Sequence, residues 1–371
     1  MIPVLEIGGT HVTAALVSPR TAVATRVRRP LDARARAEDI LGAVLRCARA
    51  LPTAPAGARW GVAVPGPFDY ATGVALFADV GKFESLYGVD VRAALLDGLP
   101  GSPSGVAFRN DAHAFLAGEW AAGAARGHTR AVGITLGTGV GSAFLADGTL
   151  HTTGPGLPPE GRMDLARIDG RPLEEVVSRR AILARYGTAA DGGAGPGSGD
   201  GPGSGDRAGA GVDVREIAER ARAGEERARR VLDAAFGALG AELGPRLAAF
   251  GATALVVGGS MAESWDLVAP PLTTALTAGG WQPAAGAAVP GVRAGADPGR
   301  PEPARSSLSG GPAGGRLRPG EPDGAGEPGR TPAKTRPQSP AEPPPGSRRL
   351  VRALLGEDAG LIGAAAVGGA G

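Results

Sequence analysis

The chain has 371 residues, of which 63 are glycine and 33 are proline, and 43% of its residues are hydrophobic. This mixture excludes a uniformly ordered chain, and the length predicts two compact domains. The single cysteine, Cys47, excludes a disulfide framework, and the net charge of +2 gives no sign of a nucleic-acid partner. The sequence has no run of 18 apolar residues and no apolar N-terminal leader. We therefore expect a cytoplasmic protein that binds neither membranes nor nucleic acid.

The first predicted elements alternate between strands and helices, and the chain opens on a hairpin. Two β-rich runs, residues 3–7 and 11–17, flank the turn Gly8-Gly9-Thr10. The next elements are predicted from helical spacing of apolar residues or from short apolar runs that end in turn residues. They are a helix over 35–51, a strand over 60–64 ending in a Pro-Gly-Pro turn, a helix over 90–99, a strand over 105–108 and a helix over 112–125.

The opening pattern recurs in the second part of the chain. Residues 131–145 read as a strand, the turn Gly137-Thr138-Gly139 and a second strand. Because a strand, a glycine turn and a strand open each half, we interpret the chain as a duplicated α/β domain. The later elements are predicted as helix over most of 212–250, a strand over 254–259, a helix over 347–355 and a helix over 360–367.

Two segments hold most of the glycine and proline excess. Residues 189–211 and 283–346 carry too few large apolar side chains to offset the entropy of ordering, so we expect disordered insertions in loops. Solvated tethers are the favoured interpretation, and binding elements are the alternative. The remaining residues are predicted to form a first domain over 1–112, completed by a C-terminal helix over 357–371, and a second domain over 113–188, 212–282 and 347–356.

Three glycine-rich turns are candidates for phosphate binding. A glycine lets backbone N–H groups approach phosphate oxygens without a Cβ in the way, and Thr10 and Thr138 can add hydroxyl donors. A third pair, Gly258 and Gly259, follows a strand, where ligands collect in open α/β sheets. Any one of these turns is more often a plain β-turn. Three in this order, with domain-sized spacing, favour a phosphate site.

At this point the sequence resembles the ROK group (repressors and sugar kinases) of the actin-like ATPase superfamily. The resemblance spans nearly the whole chain outside the two low-complexity segments. The motifs that carry it are Glu6-Ile7-Gly8-Gly9-Thr10, Val64-Pro65-Gly66-Pro67, Asn110-Asp111-Ala112, Leu136-Gly137-Thr138-Gly139-Val140-Gly141, Val257-Gly258-Gly259-Ser260 and Gly360-Leu361-Ile362-Gly363-Ala364-Ala365.

The resemblance implies an α/β fold of two ribonuclease-H-like domains that flank an ATP cleft. It implies that Gly258 and Gly259 lie under the adenosine and that a homodimer is possible. The predicted first strand begins at residue 3 and leaves no room for a DNA-binding segment, so the repressor branch of the family is disfavoured. The residues that would hold the β- and γ-phosphates are Gly8, Gly9, Thr10, Gly137, Thr138, Gly139 and Gly141.

Asp111 is the candidate catalytic residue. It lies between a strand and a helix, where a carboxylate is a good N-cap, and this is one interpretation of it. By resemblance, Asp111 is the base that takes a proton from a sugar hydroxyl as the hydroxyl attacks the γ-phosphoryl group, and Asn110 binds the sugar. The match of the neighbouring motifs favours the catalytic interpretation, and both can hold together.

The sequence departs from the family pattern in two regions. Glu6 replaces the usual aspartate that holds Mg²⁺ through water, and His11 replaces a frequent lysine. The resemblance implies ATP and Mg²⁺ as cofactors. The family's zinc-binding cysteine cluster is missing, so we predict no zinc. Glu174 aligns with a sugar-binding glutamate and Glu160 matches another loosely, each with an exposed carboxylate as the alternative. Lys82 lies in a segment where family members have a sugar-contacting loop; a functional lysine is one interpretation, and a solvated surface lysine is the favoured one.

The leading hypothesis is an ATP-dependent sugar kinase of the glucokinase type that acts on a hexose. The alternative is a non-catalytic or weakly catalytic protein that binds sugar or nucleotide as a regulatory ligand. Glu6, Arg162 and the missing zinc cluster favour this alternative.

Overall fold

The computed structural model describes residues 1–19, 21–52, 54–188, 212–284 and 347–369. These residues belong to one compact unit, Met1–Ala288 with Glu342–Gly371. The predicted insertion over 189–211 and nearly all of the one over 283–346 lie outside the described residues, so their predicted disorder stays a prediction.

The described residues form strands and helices that alternate along most of the chain. The strands are β1 (Ile2–Ile7), β2 (His11–Val17), β3 (Val23–Pro30), β4 (Arg59–Val64), β5 (Phe68–Asp69), β6 (Val74–Ala75), β7 (Gly105–Asn110), β8 (Arg130–Leu136), β9 (Val140–Ala146), β10 (Thr149–His151), β11 (Arg167–Ile168), β12 (Arg171–Pro172), β13 (Ala254–Gly258) and β14 (Arg349–Arg352). The helices are α1 (Ala37–Arg49), α2 (Val91–Gly98), α3 (Asp111–Ala122), α4 (Glu174–Val177), α5 (Arg179–Thr188), α6 (Val214–Arg222), α7 (Glu226–Phe250), α8 (Trp265–Ala278) and α9 (Asp358–Gly368).

The first sheet contains five strands in the order β3-β2-β1-β4-β7. The opening hairpin is confirmed, because β1 and β2 pair antiparallel, whereas β1, β4 and β7 are parallel. Helix α1 packs on this sheet through the apolar face that the periodicity predicted, with Ile40, Val44 and Ala48 buried. Cys47 is buried on the same face, as expected of a core residue.

The second sheet repeats the first. Its order is β10-β9-β8-β13-β14, in which β8 and β9 pair antiparallel and β8, β13 and β14 are parallel. Helices α7 and α8 pack together over a core that includes Phe236, Leu239 and Leu272. The equal strand order of the two sheets confirms the duplicated α/β architecture. The boundaries of the two domains stay a prediction.

The helix predicted over 347–355 is wrong. The structure has strand β14 there, paired in parallel with β13 at the edge of the second sheet. Leu350 points into the core while its arginine neighbours stay at the surface, and pairing with an existing edge outweighs the weak local helical pattern. The buried carboxylate of Glu119 then accepts hydrogen bonds from the N–H groups of Leu354 (3.2 Å) and Leu355 (2.9 Å) and so anchors the segment that leads to α9.

Helix α9 joins the two halves. It follows β14 of the second sheet but packs on α3 and on β1 and β4 of the first sheet. Glycines allow this close approach, because the carbonyl oxygen of Ala359 stands where a Cβ of Gly118 would be, and that of Ala364 does so at Gly61. None of the helices in the described part of the chain combines the length and apolar character that a membrane crossing requires.

Candidate functional site

The turn between β1 and β2 leads into an open pocket of about 430 Å³. The turn is closed by the N–H of Gly8, which donates to the carbonyl of His11 at 2.8 Å. Strand register places Glu6 opposite Thr13 and Thr13 opposite Arg28, so the three side chains share one face of the sheet. This face lines the pocket, together with Gly8, Thr10, His11, Arg26, Glu357 and Leu361.

Glu6 lies at the base of the pocket, under the start of α9. Its carboxylate occupies the space that a side chain at Gly360 would need. Desolvation, and next the negative charge of Asp111, raise the pKa of Glu6 to about 7, while Arg28 opposes this rise. A glutamate that is partly protonated at neutral pH attracts a cation more weakly than an ionised aspartate, the residue that the family usually has at this position.

The second glycine turn, between β8 and β9, lies beside the third glycine pair. The backbone of Leu136 stands where a Cβ of Gly259 would be, and Gly259 has a φ of +85°, so glycine is required at this crossing. At Gly137 a Cβ would meet no described atom within 4 Å, so the turn faces open space. The structure therefore brings the second and third predicted phosphate motifs together.

The start of α3 carries the predicted catalytic pair. Asn110 is the N-cap, since its Oδ1 accepts hydrogen bonds from the N–H groups of Ala112 (3.0 Å) and His113 (3.3 Å). The capping role considered for Asp111 thus belongs mainly to its neighbour, although Asp111 Oδ1 also accepts from the N–H of Ala112 at 2.8 Å. The Nδ2 of Asn110 donates to the hydroxyl of Tyr70 at 3.0 Å.

Asp111 is linked to both halves of the site through its neighbours. The Cβ of Ala112 comes within 2.9 Å of where a Cβ of Gly141 would be, so the start of α3 touches β9 just after the second turn. On the other side, the charges of Asp111 and Glu6 interact. Asp111 is accessible to solvent, yet the surrounding protein displaces enough bulk water that desolvation raises the pKa of the carboxyl. A raised pKa makes Asp111 a better proton acceptor.

The two predicted sugar-binding glutamates lie in different surroundings. Glu174 is partly buried, and its carboxylate rests against Gly139 and accepts a hydrogen bond from the N–H of Val140. The side chain of Glu160 is 71% exposed and pairs with Arg162 at 3.6 Å, so it lies at the surface. Among the described residues, it contacts none of the other predicted site residues.

Sequence reasoning missed Tyr70 and Ser142 and undervalued Lys82. Burial raises the pKa of Tyr70 to about 12, so its hydroxyl stays protonated beside Asn110. The buried hydroxyl of Ser142 donates to the carbonyl of Gly161 at 2.9 Å and anchors the loop that carries Arg162. Lys82 is partly buried, in contrast to the surface lysine expected. A signal for Lys82 was its rarity, because lysine occurs at only two positions in this chain.

The described residues fit a nucleotide held with Mg²⁺. The open space at Gly137 leaves backbone N–H groups accessible to phosphate oxygens, and at Gly9 only the flexible Lys82 side chain comes within 4 Å of a Cβ position. No group of three or more His, Cys, Asp or Glu side chains in the described ranges is placed to hold a metal ion. A single carboxylate such as that of Glu6 suffices for Mg²⁺ when phosphates supply the other ligands. The expectation of no zinc stays a prediction.

Comparisons with known proteins show to which chains and folds this protein is similar. The chain is 28% identical to the glucokinase of Thermotoga maritima over 156 residues, which are 42% of this chain and 48% of that protein. The chain thus spans about half the length of this curated relative. The fold is similar to that of a ROK hexokinase from Thermus thermophilus, with a TM-score of 0.63 and 20% identity, covering 98% of this chain and 96% of that one.

A second solved structure resembles the chain equally well. It is a ROK family glucokinase from Streptomyces griseus in complex with glucose and AMPPNP, with a TM-score of 0.63 and 22% identity, covering 100% of this chain and 99% of the other. At these identities the likeness shows a common fold. The sequence model of the ROK family matches residues 3–283, which is most of the chain. With the duplicated sheets and paired glycine turns described above, this match establishes that the chain belongs to the ROK family.

Proposed function

We propose that the protein is an ATP-dependent kinase that phosphorylates a hydroxyl group of a sugar, with a hexose as the substrate class. The observation that carries this proposal is the position of Asp111, a carboxylate with a raised pKa at the start of α3, beside Ala112, which touches Gly141, and close enough to Glu6 for their charges to interact. The ROK kinases among the structural relatives, one of them in complex with glucose and AMPPNP, support it.

Asp111 acts as the general base. Its carboxylate accepts the proton of the sugar hydroxyl while the hydroxyl oxygen forms a bond to the γ-phosphorus. The bond from that phosphorus to the bridging oxygen breaks, and ADP leaves with its electron pair. Asn110 and Tyr70 orient the sugar, and Gly8, Gly9, Thr10, Gly137, Thr138, Gly139 and Gly141 hold the phosphates. Mg²⁺, held near Glu6, offsets phosphate charge when it is bound.

Replacement of the base tests this assignment. Asp111→Asn is expected to lower ADP release by about 100-fold or more, because the amide cannot accept the proton, while nucleotide binding is retained. The measurement is a coupled ADP-release assay over a panel of hexoses and aminosugars, with nucleotide binding followed by calorimetry. Asp97→Asn, which removes an exposed carboxylate from α2, serves as the control and should behave like the wild type. Undiminished turnover in Asp111→Asn would remove Asp111 from the mechanism.

The second candidate function is that of a regulatory protein which binds sugar or nucleotide without turnover. The raised pKa of Glu6 favours it, because a partly neutral carboxyl weakens Mg²⁺ binding. Sugar or nucleotide would then raise the melting temperature with no ADP release for any sugar of the panel. ADP release that depends on sugar excludes this second function.

A further inference from the structure

Lys82 lies against the first glycine turn. Its Cδ lies 3.9 Å from the position that a Cβ of Gly9 would take, so the side chain passes directly over the first turn. The side chain is partly buried, although residues 78–81 before it are exposed. The lysine therefore packs against the first glycine turn and is only partly exposed to solvent.

The charge of Lys82 reaches carboxylates that belong to both halves of the molecule. Desolvation raises the pKa of Asp111 at the start of α3 and that of Glu174, which rests on the second glycine turn, and the charge of Lys82 opposes both rises. Among the described residues, no carboxylate forms an ion pair with the ammonium group of Lys82. Lys82 is thus close enough to act on both carboxylates and remains available to an anion between them.

The cleft needs such a cation when a nucleotide binds. Asp111 and Glu174 bring negative charge to it, and the triphosphate adds several negative charges more. One divalent cation offsets only part of this charge. Arg28 acts on Glu6, whereas Lys82 acts on Asp111 and Glu174, the carboxylates nearest to the proposed transfer of the terminal phosphoryl group.

We infer that Lys82 is a catalytic residue that binds the γ-phosphoryl group and neutralises charge during its transfer. This inference rests on the proposed kinase function and adds a residue to it. A lysine suits the position because its ammonium is a compact point charge on a flexible stem, whereas the guanidinium of arginine is planar and wide. A lysine at position 82 is informative because the 39 lysine and arginine residues of the chain include only two lysines.

Substitution of Lys82 tests the inference by two independent measurements. Lys82→Met is expected to weaken binding of the non-hydrolysable ATP analogue AMPPNP by about tenfold while ADP binding changes less than about twofold, because only AMPPNP carries the γ-phosphoryl group. It is also expected to lower kcat by about 100-fold, with the KM for sugar nearly unchanged. Lys82→Arg should recover part of both losses. Arg46→Met, which removes an exposed cation from α1, is the control and should change neither.

The outcomes separate this inference from the proposed function. Equal weakening of AMPPNP and ADP, or no weakening with kcat within about twofold of the wild type, would overturn the role of Lys82 even if the wild type is an active kinase. A wild type that releases no ADP but loses AMPPNP binding selectively in Lys82→Met would overturn the kinase and keep the phosphate contact. A wild type that binds no nucleotide overturns both. Equal melting temperatures of the variants show that the fold is intact.

Discussion

Two neighbouring residues at the start of α3, Asn110 and Asp111, divide the roles of helix cap and candidate base, which the sequence alone assigned to Asp111. Asn110 caps the helix and contacts Tyr70, which leaves the carboxylate of Asp111 available for chemistry at the glycine turns. Asn110 thereby sets the direction of Asp111, because a capped first turn has a defined geometry. Glu6 has a longer side chain than aspartate, and its half-buried carboxylate lies against the start of α9 and interacts with the charge of Asp111.

The pKa of Glu6 predicts how stability depends on pH in the absence of ligand. In the folded protein this pKa is about 7, against an ordinary value of 4.5, so the folded state binds more protons between these limits. Stability therefore falls as pH rises through this window. Glu6→Gln removes the ionisation, and we expect its free energy of unfolding at about pH 8 to exceed that of the wild type by about 2 kcal/mol.

The measurement is denaturant unfolding with a metal chelator present, at about pH 4 and about pH 8. The two proteins should be nearly equal at the lower pH, where Glu6 is protonated in both states. A wild type that is as stable as Glu6→Gln at the higher pH would contradict the prediction.

At the scale of elements, the crossing of α3 and α9 is the contact on which the site depends. Helix α3 carries Asp111 and packs on β8 and β9, and α9 covers Glu6 and packs on the first sheet. Small residues let the helices approach so closely that backbone carbonyls touch the neighbouring helix. Side chains of ordinary size would separate the two helices, and the two glycine turns with them.

Two glycine substitutions, one at this crossing and one outside it, are expected to change the free energy of unfolding in opposite directions. At Gly118, alanine would clash with the carbonyl of Ala359, so Gly118→Ala should lower the free energy of unfolding by about 2 kcal/mol or more. At Gly237 in α7, no described atom beyond the helix's own backbone lies within 4 Å of a Cβ. Gly237→Ala should therefore raise the free energy of unfolding by about 0.5–1 kcal/mol, because alanine favours the helix.

Both values come from urea unfolding of the two variants and the wild type. A Gly118→Ala protein as stable as the wild type would show that the helices can separate without loss. A destabilised Gly237→Ala protein would show that the second glycine has a packing role.

At the scale of the whole molecule, the two sheets share one strand order, and the long low-complexity segment enters beside the second sheet. Its flanking residues are close together, since the N–H of Ala284 donates to the carbonyl of Arg348 at 2.8 Å. The chain can thus be joined across this point without moving β13 or β14. The fold of the described residues does not require a long connection here.

Removal of this segment is expected to leave the protein folded and active. Replacement of residues 285–346 by about four glycines should raise the free energy of unfolding by about 2 kcal/mol, because a short loop costs less entropy to close. Sugar-dependent ADP release should be unchanged. Melting curves and the ADP-release assay measure both, and a length-matched glycine-serine replacement separates the effect of length from that of sequence. Loss of turnover in both replacements would assign the segment a function.

Much of the site could be predicted because it depends on local chain chemistry. The hairpins around Gly8 and Gly137 follow from glycine turns between β-rich runs, and both are confirmed. The strand that ends at Asn110 and the helix that follows it are likewise local patterns. The segment over 347–355 failed because its conformation depends on an edge strand that is distant in sequence. Helix α8 was not predicted, since Pro270 and Pro271 lie within it.

The sequence by itself determined the alternation of strands and helices, the three glycine motifs and the candidate base, because turns, caps and apolar periodicity act over a few residues. Only the tertiary structure decided that the charge of Lys82 acts on Asp111 and Glu174, that Glu160 is exposed at the surface and that Asn110 caps the helix beside Asp111. Burial and electrostatic interaction between distant residues arise only when the two sheets and the α3–α9 crossing bring them together, and no local pattern records those distances.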